Sequence, residues 1–128
     1  MGTEVPFHEP RLIIARMLHD VLRFGHGAFA ELPLMEAVET TMIATAILIR
    51  ESDGRPFSTL GLAKHLQMPR ATLVRRLSIL ASKGIIRRDT HALRINPQIF
   101  ASPVRDEAIR RLRRIVIDAG TALSKLDK

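Results

Sequence analysis

Cysteine, tryptophan and tyrosine are all absent from the 128-residue chain. Without cysteine there are no disulfides, no thiolate chemistry and no cysteine-based zinc site. Without tryptophan or tyrosine, recognition of structured RNA loses two of its usual stacking side chains. No run of about 18 uninterrupted apolar residues occurs, which argues against a membrane span. The start, MGTEVPFHEP, has no basic stretch leading into an apolar one. No secretory leader is therefore expected, and a cytoplasmic location is the default. There is no Gly-rich phosphate loop, nucleophile elbow or metalloprotease helix. His8, His19 and His26 have no histidine at helical pairing distance and no Glu-rich box beside them, which disfavours a metal site. The expectation is a protein that is not an enzyme and needs neither cofactor nor metal.

What the chain does have is positive charge, unevenly placed. Residues 1–54 carry four arginines against eight acids, a balance of −4. Residues 55–128 carry sixteen lysines and arginines against five acids, a balance of +11. One half is suited to face a polyanion, and the other to mount it.

The stretch at residues 58–88, STLGLAKHLQMPRATLVRRLSILASKGIIRR, organises the rest. Leu62, Ala63 and Leu66 sit at helical spacing, Met68-Pro69 interrupts, and the pattern resumes with Leu73, Leu77 and Leu80. Two short helices with a sharp turn between them bury one face against each other. The second helix then turns outward Arg70, Ala71, Thr72, Arg75, Ser78 and Ser82, and Gly84 ends it. A helix about 10–12 Å across with such a row fits the major groove of duplex DNA. Ile85–Arg88 and Leu93–Asn96 flank Asp89-Thr90-His91-Ala92, which reads as a hairpin with a four-residue loop. Arg87, Arg88, His91 and Arg94 are its candidate contacts. Since Arg87 and Arg88 point to opposite sides of a strand, at most one faces the DNA.

These residues closely resemble bacterial winged helix-turn-helix repressors: Leu62-Ala63, Leu66, Met68-Pro69, Thr72-Leu73, Arg75, Leu77, Leu80 and Gly84-Ile85-Ile86. The run is most similar to the MarR family, and its helix-turn-helix also to IclR-type regulators. The resemblance implies a recognition helix contributing Arg70, Ala71, Thr72, Arg75 and Arg76, and a wing contributing Arg87, Arg88 and Arg94. Two departures stand out: the short loop at residues 89–92, and Pro69 where a capping serine is usual. The resemblance further implies a homodimer and a small-molecule effector of unknown identity. Met17, Phe24, Phe29, Met35 and Met42 are the side chains available to line an effector pocket, although core packing explains them more simply.

Around the module the spacing predicts helices. One runs from Pro10 to about Phe24 and is ended by Gly25-His26-Gly27. Another covers residues 34–51, apolar almost all round after Met42, and is expected to be sandwiched between layers. Phe57-Ser58 offers a brief strand, with Ser58 also capping the helix that follows. Ser102-Pro103 starts a last helix to about Leu126, with a seam of Ala108, Leu112, Ile115, Ala119, Ala122 and Leu126. Arg110, Arg111, Arg113 and Arg114 are read as its solvated face. The expected architecture is thus a single, mainly α domain over residues 1–128 with a small β-hairpin wing. In it a winged helix-turn-helix (52–96) is flanked by N-terminal (10–51) and C-terminal (102–127) dimerisation helices. The function expected is sequence-specific binding of double-stranded DNA by a dimeric transcription regulator on a pseudo-palindromic operator. The alternatives are a protein–protein interaction module and non-specific nucleic-acid binding.

Overall fold

The structure is a computed structural model and describes residues 8–89 and 91–127. It is mainly helical, with one two-stranded antiparallel hairpin. In chain order come α1 (His8–Ala28), α2 (Leu34–Ser52), α3 (Thr59–Leu66) and α4 (Arg70–Ser82). The hairpin strands β1 (Ile86–Asp89) and β2 (Ala92–Ile95) follow, then a 3-10 turn at Pro97–Ala101 and the long α5 (Pro103–Leu126). Among the described residues no helix is long and apolar enough to cross a membrane.

The core lies where α2, α3, α4 and the hairpin meet. Ile43 and Ile47 of α2, Leu62 of α3 and Leu73, Leu77 and Leu80 of α4 are fully buried. Ile86, Leu93 and Ile95 close it from the hairpin. Local chemistry sets the boundaries. The Ser58 hydroxyl accepts from the Gly61 N–H at 3.0 Å and so caps α3. No strand forms at Phe57, but its carbonyl accepts from the Leu93 N–H at 2.8 Å. The turn between α3 and α4 passes through Gln67 in the left-handed region, φ 52°. Gly84 leaves α4 with φ 71° while the Ile85 N–H reaches back to the Leu80 carbonyl. That is the closing pattern that favours glycine after a helix. The Ser102 hydroxyl accepts from the Arg105 N–H at the start of α5, with Pro103 in the first turn.

Three expectations need correction. Helix α1 does not stop at Gly25-His26-Gly27 but runs on to Ala28. The reason is tertiary: a β-carbon on Gly25 would stand 3.4 Å from the Thr41 hydroxyl, so the missing side chain lets α1 lie close to α2. The His26 ring Nε2 also bonds the Leu32 carbonyl at 3.0 Å, holding the α1–α2 connection. Second, the hairpin keeps the expected register, but its strands run one residue further toward the turn. Asp89 pairs with Ala92 as the last rung, so a two-residue turn replaces the four-residue loop; Thr90 within it lies outside the described residues. Asp89 is held there by Arg94, whose Nε is 3.2 Å from its carboxylate.

Third, α2 is only partly sandwiched. It lies against α1 and against α4 and β2, but Met35, Met42 and Ile49 lie open to solvent. Helices α1 and α5 are similarly unfinished. No residue of α1 is buried, and Ala119 is the one buried residue of α5. Residues 1–7, expected as a loose arm together with His8 and Glu9, lie outside the described residues. His8 and Glu9 themselves belong to α1.

Candidate nucleic-acid interface

Helix α4 contains no acidic side chain. With about 100° between successive residues, Leu73, Arg76, Leu77 and Leu80 form its buried side. Ala71, Val74, Arg75, Ser78 and Ser82 form the opposite, exposed side. Arg70 is exposed in the first turn, and Thr72 is half-buried on the flank, at the edge of the face. Pro69 offers no side-chain acceptor at the start of α4. The first-turn N–H groups therefore point outward beside Arg70 without a side-chain cap.

The hairpin adds to this face through one residue. Arg88 shares the inward side of β1 with Ile86 and lies across from the buried Leu93. Its Nη2 donates to the Ser78 hydroxyl at 3.3 Å. Ser78 in turn donates to the Val74 carbonyl at 3.0 Å. Both hydrogen-bonding roles of that hydroxyl are engaged within the protein. Arg87 projects from the other side of β1, directly across from Arg94. The Asp89 carboxylate partly neutralises Arg94. His91 is exposed at the hairpin turn, between the strands. Arg88 therefore joins the α4 face, while Arg87 and Arg94 sit behind it on the outer side of the hairpin.

Arg76 does not belong to this face and is withdrawn from it. It is 7 % exposed and turned into the protein. Its guanidinium is shared by Glu36 and Glu39 of α2, each 3.6 Å away. At that distance Nε is left without a hydrogen-bond partner, so the contact is ionic rather than a close fork. Its role is to tie α4 to α2. Arg76→Ala is expected to lower the unfolding free energy by about 2 kcal/mol, read from thermal or urea melts. That is less than for a fully buried pair, because both glutamates remain partly in water.

Val74 was missed from sequence. It stands beside the buried Leu73, yet it is 38 % exposed. Helical stepping from the buried leucines would have placed it outside. With Ala71 it gives the face a small apolar centre flanked by Arg70 and Arg75. Lys64, exposed in the last turn of α3, is a further nearby cation in the chain that the motif did not mark.

A concave feature lies away from α4's outer face. A groove of about 1020 Å³ opens between the C-terminal part of α1 and the first turns of α5. Phe24, Phe29 and Ile85 line it, with Arg23, Lys83 and Arg105 among its charged residues. Lys83 is ion-paired with Glu31, whose carboxyl it draws below the usual range through their hydrogen bond. Of the aromatic and methionine side chains expected around a pocket, Phe24 and Phe29 are here, whereas Met35 and Met42 face solvent on α2.

No known protein family, curated protein or solved structure matches the chain.

Proposed function

We propose that the chain is a winged helix-turn-helix regulator of the MarR-like kind that binds double-stranded DNA, with α4 in the major groove and β1–β2 as a short wing. One observation carries this reading. The outer side of α4 is a convex, acid-free row with a small apolar centre, edged by Arg70 and Arg75 and joined by Arg88. A guanidinium in such a row pairs with the O6 and N7 of guanine, and alanine or valine meets the thymine methyl. The uncapped start of α4 supplies amides toward a phosphate. Two copies would address half-sites about 34–36 Å apart, one turn of the duplex.

The residues divide into two roles. Arg75 reads a base edge. Arg88, held against Ser78 from the hairpin, meets the backbone. Arg75→Ala should therefore cost about 1–3 kcal/mol on a selected duplex and flatten preference at one position. Arg88→Ala should weaken selected and random duplexes by the same factor. Fluorescence anisotropy on both kinds of duplex checks this. Equal losses for both variants on both duplexes would refute the division of roles, and no binding of any duplex at low salt would refute the reading itself.

A further inference from the structure

Helix α2 is amphipathic the wrong way round. Its four ionisable side chains all turn to partners in their own chain. Glu36 and Glu39 hold Arg76. Arg50 donates to the Arg55 carbonyl at 2.9 Å and lies 4.5 Å over the Phe57 ring. Glu51 accepts from the Ile95 N–H at 2.8 Å. Its hydroxyls are spent on its own backbone as well, including Thr45 on Thr41 and Ser52 on Ile49. What remains for solvent is apolar: Met35, Met42 and Ile49 are 66 %, 54 % and 62 % exposed. These recur every seven residues with Val38 and Thr45 between them, the 3-4-3-4 spacing of a helix-pairing seam.

The neighbouring α1 continues the pattern. Ile14, Leu18 and Leu22 recur every fourth residue and are 43 %, 52 % and 49 % exposed. Leu34 and Leu48, next in sequence to Met35 and Ile49, are half open as well. Counting roughly 180 Å² for each such residue when fully open, these side chains of α1 and α2 leave about 760 Å² uncovered, more than the largest apolar patch of most monomers. That area approaches the ~800 Å² per partner of a stable protein–protein interface.

We infer that this surface is where a second copy of the chain docks, α1–α2 hairpin against α1–α2 hairpin. A twofold contact sets a patch against itself, so any charge within it near the axis meets its own image. The α2 seam carries none, because the helix has turned its charges inward. Helix α5 is the competing site, with Ile109 and Val116 exposed at 62 % and 53 %. Those two stand in a strongly charged stretch, with Asp106, Glu107, Arg110, Arg113 and Arg114 all exposed, so self-pairing there would take charges out of water that the α2 seam does not carry. The dimer thus forms through the N-terminal helices, and the face expected to be inside in sequence is inside the dimer.

Sedimentation without DNA tests this independently of the DNA reading. The wild-type chain should run at twice its 14.4 kDa mass. Met42→Glu with Ile49→Glu should raise the dimer dissociation constant at least about 100-fold, to a monomer that keeps its helical circular dichroism. Ile109→Glu with Val116→Glu should leave the dimer intact. A wild-type monomer at tens of micromolar, or a dimer broken by the α5 pair and not by the α2 pair, would overturn the proposal. Should the glutamate variants not fold, cross-linking decides. The chain is cysteine-free, so Met42→Cys places one thiol at the middle of the seam, nearest a twofold axis. A short bismaleimide should join two such chains and fail with Val116→Cys; the reverse result overturns the assignment.

Discussion

Raising the salt from about 50 to about 200 mM is expected to weaken duplex binding about 10³-fold, if roughly three phosphates are neutralised per chain and six per dimer. The cations for this are exposed: Arg70 and Arg88 on the proposed contact face, and Lys64 nearby in the chain. Arg94 contributes less because Asp89 already accompanies it, and Arg76 contributes nothing because α2 holds it. A plot of log affinity against log salt should be straight with a slope near −5, since each displaced counterion adds about −0.9. Arg88→Ala should reduce the slope by about two for the dimer, one for each chain. A flat plot would point instead to a protein partner for the same basic face.

The largest expected effect on stability comes from adjacent residues treated differently. Leu73→Ala should destabilise the fold by about 3 kcal/mol, because Leu73 is fully buried and its truncation leaves a cavity between α2, α3 and α4. A domain of this size has about 5–15 kcal/mol in total, and the loss should lower the melting temperature by roughly 10 °C. Val74→Ala, one residue on, should change stability by less than about 0.5 kcal/mol, since its side chain is partly in water and alanine is the better helix former. Its cost should appear in DNA affinity, as a lost contact with a thymine methyl. Calorimetric melts together with anisotropy on the same two proteins separate the cases. If Val74→Ala proved as destabilising as Leu73→Ala, the placement of α4's outer face would be wrong.

Much of the fold was legible because its signals are local. The Ser58 and Ser102 caps, Pro103, Gly84 and the break at Met68-Pro69 each act within a turn of the chain. The departures come from contacts distant in sequence. Gly25 reads as a stop until Thr41 is set beside it. Arg76, on the flank of α4, reads as a contact for a phosphate or for an acidic neighbour until Glu36 and Glu39, some forty residues earlier, are brought to it. The apolar character of α2 was visible, but it does not say whether the covering surface comes from the same chain or another. At the candidate site, the polar face of α4 could be read from periodicity. The union of Ser78 with Arg88 could not, because it depends on how the hairpin folds back.

The bond from Glu51 to the Ile95 amide has a further meaning. A two-stranded ribbon ordinarily offers its outer rim to any passing extended segment, and such rims are where misassembly begins. Here two successive outward amides of that rim are already occupied, Leu93 by the Phe57 carbonyl and Ile95 by the Glu51 carboxylate. Molecules crowded side by side would then find no free template for cross-strand addition at that margin.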